Sequence, residues 1–210
     1  MTTLYYLHGW GYDAHFWEGL HAHLPSWRHI CADAGYFGSP AHPPLPEVPF
    51  WAVGHSAGAC ALLALRSPLC RGLISLNGFA RFTAAPDYPE GLPPRIMHRM
   101  IRQFERQPAT VLRQFRHMCG EPDPTLPSTL NLPALTDGLT MLETVDHRDH
   151  LPYWQGRLYS LHCVDDPLIP ARSGMGAAAW GVERTGGHRL PLTHPQECAA
   201  FLTRIINASL

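Results

Sequence analysis

The sequence predicts an α/β protein with a mostly parallel central sheet, helices on both faces and a small helical insertion. Three observations carry this prediction. Apolar strand-like runs alternate with helix-like runs at both ends of the chain, the pattern of a parallel sheet covered on its faces. The pentapeptide Gly54-His55-Ser56-Ala57-Gly58 sits between one such strand and one such helix. From 80 to 150 the alternation stops and three successive helix-like runs replace it.

Taken in order, Leu4-Tyr5-Tyr6-Leu7 marks a strand over 3–7, followed by a helix around 14–23 and a strand over 28–32. Four prolines between Ser39 and Pro46 exclude a helix there, so the crossover to the next parallel strand is expected as an extended loop. A strand over 50–54, a helix over 57–66 and a strand over 72–76 come next. The insertion holds helices over 93–106 and 109–119 and a third around 133–144. A strand over 157–163, a short helix or turn over 171–179 and a helix over 195–206 complete the chain. Residues 1–79 and 151–210 are therefore expected to form one core, with 80–150 as a cap inserted in it.

The pentapeptide has the form G-x-S-x-G. It follows the apolar run Val48 to Val53, interrupted only by Pro49, and precedes Ala59-Cys60-Ala61-Leu62-Leu63. In a strand–turn–helix context this motif is a nucleophile elbow. The glycines are required where the turn leaves no room for Cβ atoms. The serine hydroxyl needs a base to take its proton. Past the strand at 157–163 stand Asp165 and Asp166, and then Gly186-Gly187-His188 on a glycine-rich loop before the last helix. Ser56, an acid and His188 thus occur in the order this chemistry uses. His194 is the rival base, and Asp165 the alternate acid. At the other end, His8-Gly9-Trp10-Gly11 follows the first strand.

These four motifs resemble those of the α/β-hydrolases. Within that superfamily the segments HGWGYDAHFW (8–17), DGLTMLETVDHRDHL (137–151), DDPLIPAR (165–172) and HRLPLTHPQE (188–197) resemble the pimeloyl-[acyl carrier protein] methyl ester carboxylesterases of biotin synthesis. The run G-L-x-x-L-x-T-V-D-x-R at 138–148 carries most of the specific weight, because the other motifs are shared by many esterases. The resemblance implies a serine esterase with Ser56, Asp166 and His188 as its triad. Asp166 is preferred over Asp165 because D-P-L-I-P matches the family's D-x-x-[IV]-P pattern. The resemblance also implies an oxyanion hole from the backbone N–H groups of Trp10 and Ala57. It implies a carrier-linked methyl ester as substrate, and neither metal nor organic cofactor. The proline-rich crossover and the short, glycine- and alanine-rich stretch 171–187 depart from the larger family members.

Composition narrows the partners. A net charge of −1 argues against bulk nucleic-acid binding. No uninterrupted apolar run approaches the length of a membrane span. The N-terminal segment has neither a basic start nor a cleavage-type stretch, so a cytoplasmic location is expected. The six cysteines form no C-x-x-C pair, and His21-x-His23 lacks companion ligands, so free thiols and no metal site are expected.

Every basic residue is arginine, and the charge is uneven. Residues 81–120 hold seven arginines against Asp87, Glu90 and Glu105, leaving +4. At about 100° per residue, Arg95, Arg99, Arg102 and Arg106 fall within about 40° of one another on a helix. Ile96, Met97, Met100, Ile101 and Phe104 are expected on the opposite side. The next helix repeats the arrangement, with Val111, Leu112, Phe115 and Met118 on one side and Arg113 and Arg116 on another. A one-signed face fits a partner of opposite sign. In the family resembled, cap arginines bind the acidic acyl carrier protein. Two other functions use the same residues differently: a general short-chain esterase on the same triad, and a silent hydrolase fold serving as a binding protein.

Overall fold

The computed structural model describes residues 1–169, 174–176 and 180–209. Six strands form one sheet: β1 (Thr3–Leu7), β2 (Arg28–Ala32), β3 (Phe50–His55), β4 (Cys70–Leu76), β5 (Leu158–Cys163) and β6 (Trp180–Arg184). Their order is β2-β1-β3-β4-β5-β6 and every pairing is parallel. Parallel strands buried on both faces read as apolar runs, and β3 is buried at all six positions.

Alternate residues feed two cores. Leu4, Tyr6, Trp51, Val53, Ile74, Leu76 and Leu161 point to one face. There they meet α1 (Glu18–Ala22) and α7 (Pro195–Ala208) through Leu20, Leu202, Ile205 and Ile206. Tyr5, Phe50, Ala52, Leu73 and Leu158 point to the other face, against α2 (Ala57–Leu62) and Trp154. The first core continues beyond the sheet. Between β4 and β5 lie α3 (Pro94–Arg106), α4 (Pro108–Met118) and α5 (Leu132–Thr144). Their buried residues Met97, Phe104, Val111, Leu112, Phe115, Leu135 and Leu139 join the same cluster as Trp10.

Some of the prolines open helices. α3, α4, α5, α7 and the short α6 (Leu190–Thr193) each carry proline at the first or second position. Its missing N–H is unneeded there and its fixed φ suits the helix. Between β2 and β3 the proline-rich segment crosses without a helix, held by an antiparallel bridge between Asp33 and Ala41.

Several expectations need correction. α2 ends at Leu62, four residues short of the expected 66, where Arg66 reaches back to the Leu63 carbonyl before Ser67-Pro68. β6 was not expected, because WGVER is short and half polar, yet it adds the edge strand beside β5. The helix or turn expected over 171–179 falls, apart from 174–176, outside the described residues. No described helix is long and apolar enough to cross a membrane.

Candidate active site

Ser56 occupies the turn between β3 and α2 with φ 52° and ψ −123°, a backbone conformation that ordinary residues avoid. The flanking glycines are sterically required. A Cβ on Gly54 would lie 2.4 Å from the Ala59 Cα, and one on Gly58 would lie 2.2 Å from the Leu7 carbonyl oxygen. The Ser56 N–H donates to the Leu76 carbonyl at 3.1 Å, tying the turn to the end of β4.

His188 stands on the loop after β6. Its Nε2 lies 3.1 Å from Ser56 Oγ, and its Nδ1 lies 2.7 Å from Asp166 Oδ2. An ionised carboxylate can only accept, so Nδ1 carries the proton and Nε2 offers its lone pair to the Ser56 hydroxyl. Asp166 is itself oriented: its Oδ1 accepts from the amides of Leu168 at 2.8 Å and Ile169 at 3.2 Å. The side chains of His188 and Asp166 are 1% exposed and Ser56 is 6% exposed, so these contacts lie in a water-poor setting.

The alternates are elsewhere. Asp165 turns its carboxylate to the amides of Gly186 and Gly187, both at 3.0 Å, and these bonds, the Gly187 amide foremost, lower its pKa. His194 bonds Thr193 Oγ1 and occupies the N-cap position of α7 without a side-chain capping bond.

The turn after β1 passes beside Ser56: a Cβ on Gly9 would lie 3.0 Å from the Ser56 Cβ. The backbone N–H groups of Trp10, on this turn, and of Ala57, after the serine, find no acceptor among the described residues. The Trp10 indole is buried under the inserted helices. Its Nε1 donates to the Leu135 carbonyl of α5 at 2.9 Å. Its ring meets Phe115 edge-on at 4.8 Å and Phe104 at 6.0 Å.

The arginine face is real but smaller than the helical projection gives. Arg95, Arg99, Arg102, Arg106 and Arg113 are exposed and make no ion pair among the described residues. Arg116 is different. It grips Glu121 through Nε at 2.8 Å and Nη2 at 3.1 Å, and lies over the Tyr12 ring. Glu121 falls one residue beyond the window that defined the charge excess. Ile96 and Met118, expected on the buried side, are 45% and 48% exposed. Both sit at the edge of the apolar arc, and with Met100 and Phe115 they line a cavity of about 460 Å³ rimmed by Arg95, Arg99 and Arg102.

Three side chains near the site were missed. His55, inside the pentapeptide, and Asn77, at the end of β4, both donate to the loop that carries His188. The sequence signals are a polar residue within the elbow and an Asn-Gly pair closing an apolar strand. Arg189, next to His188, reaches the Gly120 carbonyl at 2.7 Å and Glu121 at 3.5 Å, joining the loop to the inserted segment. No local pattern foretells that contact.

No family model matches the chain. A pimeloyl-[acyl-carrier protein] methyl ester esterase of Aromatoleum aromaticum is 28% identical over 95% of this chain and 96% of its own length. One from Neisseria meningitidis serogroup C is 32% identical over 83% of this chain and 79% of its own. The chain belongs to the pimeloyl-[acyl-carrier protein] methyl ester esterase family. Solved structures agree on the fold. An esterase from Exiguobacterium antarcticum superimposes with a TM-score of 0.83 at 17% identity, covering 99% of this chain and 92% of that one. A bromoperoxidase from Bacillus anthracis also reaches 0.83, at 16% identity over 98% of this chain and 92% of that one. This family member is an esterase of the α/β-hydrolase fold, with Ser56 on its elbow.

Proposed function

We propose that the chain hydrolyses a carboxylic ester through an acyl-enzyme on Ser56, and that the ester is pimeloyl-[acyl carrier protein] methyl ester. The observation that carries the reaction is the continuous contact from Ser56 Oγ through the His188 ring to Asp166. His188 Nε2 takes the hydroxyl proton as Oγ attacks the ester carbonyl. The resulting oxyanion is met by the N–H groups of Trp10 and Ala57, a contribution of about 3–4 kcal/mol per donor in a comparable hole. Collapse breaks the bond to the alkoxide, which leaves as methanol with the proton from His188. Water then gives a proton to His188 and attacks the acyl carbonyl, and the carboxylate departs as Ser56 regains its proton. Asp166 fixes the ring's tautomer and stabilises its cation in both halves.

The substrate rests on the names of the curated relatives and on the arginines that make no ion pair among the described residues. A carrier protein rich in carboxylates would meet Arg95, Arg99, Arg102, Arg106 and Arg113, steered by opposite charge. The apolar cavity between α3 and α4 opens beside them, and its residue Phe115 touches Trp10 of the oxyanion turn. Arg116 is left out, because Glu121 already holds it.

Expression in a biotin auxotroph lacking its own pimeloyl ester hydrolase tests this function. Growth without biotin from the native chain and none from Ser56→Ala is expected. A stable, active esterase that fails to restore growth would reduce the reading to a general short-chain esterase.

A further inference from the structure

His188 stands on a loop that its sequence leaves loose. Gly186 and Gly187 precede it with φ of 148° and 68°, conformations glycine reaches freely. The Asp166 contact holds one ring nitrogen, but it does not fix the backbone from which the ring hangs. That backbone is gripped elsewhere. The amides of Gly186 and Gly187 go to Asp165. The carbonyl oxygens of Gly187 and His188 accept from Asn77 Nδ2 at 2.8 and 2.9 Å. The same His188 oxygen accepts from His55 Nε2 at 2.9 Å.

The two donors are themselves rigid. Asn77 Oδ1 accepts from the Cys163 amide at 2.8 Å. Since an amide N–H can only donate, this fixes which end of Asn77 faces the two carbonyls. Asn77 also holds a left-handed backbone, φ 48°, without being glycine. His55 is fully buried, stacked on Phe16 at a centroid distance of 4.4 Å, and must carry its proton on Nε2 to serve a carbonyl. Asn77 and His55 sit at or just past the ends of β4 and β3, adjacent strands of the sheet.

We propose that His55 and Asn77 are positioning residues for the base: a two-donor clamp on the His188 carbonyl that aims Nε2 at Ser56. This rests on the triad reading above. Neither touches the ester, so their effect passes through His188. Without the clamp the glycine loop can drift, and misplacement of about 1 Å costs on the order of 100-fold.

The test measures kcat and KM on p-nitrophenyl butyrate with the melting temperature of each variant. His55→Leu removes one donor, His55→Gln retains an N–H donor, and Asn77→Asp keeps the shape while turning the donor into an acceptor. His188→Ala is the reference. His55→Leu and Asn77→Asp are expected to lower kcat about 10- to 100-fold with KM within about twofold. His55→Gln should return kcat to within about fivefold of the native value, and the two losses should not multiply in the double variant, because both donors share one oxygen. Folded variants that keep kcat within twofold would overturn the clamp. So would a loss in His55→Gln equal to that in His55→Leu and matched to its melting temperature, which marks packing alone. Should His188→Ala itself remain active, the triad reading falls, and that outcome is distinct from failure of the clamp.

Discussion

Asp165 and Asp166 are neighbours in sequence that hold one loop in different places. Asp166 bonds the His188 ring at 2.7 Å, whereas Asp165 bonds the amides of Gly186 and Gly187. In the proposed triad the first contact sets the tautomer of the base, and the second only steadies its support. Asp166→Asn, which presents the wrong partner to Nδ1, should lower kcat on the order of 10⁴-fold. Asp165→Asn should lower it about tenfold or less, since the amides keep an acceptor. Steady-state rates on p-nitrophenyl butyrate check the ranking, and the reverse order would reassign the acid.

In the proposed mechanism His188 and Ser56 act as a unit, so their losses should not add. Ser56→Ala and His188→Ala are each expected to cost on the order of 10⁴ or more, and the double variant little beyond either. His194→Ala should stay within about tenfold of native, because His194 bonds Thr193 and not the site. A fluorophosphonate probe should label Ser56 in His194→Ala and scarcely at all in His188→Ala. Equal labelling in both would displace His188 as the base.

Stability should fall in mild acid. Burial, foremost, and the closeness of a second imidazole, His188, hold His55 well below the ordinary histidine value of 6.5, so the native state keeps it neutral. Below that value the unfolded chain binds a proton that the native chain does not, and stability is lost as pH drops. The loss is at most about 1.4 kcal/mol per pH unit for one such group. His21, lowered to about 4 by partial burial and by His29, acts in the same direction but more weakly, because it is only partly buried. Asp146, lowered by its bonds to Arg148 and Arg81, contributes stability that is lost only below its unfolded value of 3.8. Urea midpoints should therefore decline between pH 7 and 5 in the native chain and decline less in His55→Gln. A flat profile over that range would contradict the neutral buried histidine.

Carrier recognition should be electrostatic and confined to the exposed face. Arg99→Glu with Arg102→Glu should lower kcat/KM for the carrier-linked ester at least about tenfold and leave p-nitrophenyl acetate nearly unchanged. Added salt should weaken the first substrate's turnover selectively. Arg116→Ala should instead lower the melting temperature, because it releases Glu121 and uncovers the Tyr12 ring. Equal losses on both substrates from the double reversal would indicate damage to the inserted helices.

The sheet and elbow were legible because their signals are local. Apolar runs mark β1 through β5, and glycines stand wherever a Cβ would strike backbone, as at Gly54 and Gly58. The contact between Ser56 and His188 was legible from order and turn chemistry. The separation of Asp166 from Asp165 rested on resemblance, since both follow the same strand. β6 was hidden because its pairing with β5, and not its own composition, makes it a strand. The pairing of Arg116 was not legible, because helical projection places a side chain on a face without showing what lies opposite. Glu121 and Tyr12 come from outside α4, and only the folded chain brings them there.

Methanol release from pimeloyl-[acyl carrier protein] methyl ester, followed with purified native chain and with Ser56→Ala, tests the central claim most directly. The native chain should release methanol stoichiometrically with free pimeloyl carboxylate, and Ser56→Ala should release it at least about 10⁴-fold more slowly. Comparable release by both proteins, or none by a native chain that hydrolyses small esters, would contradict the account.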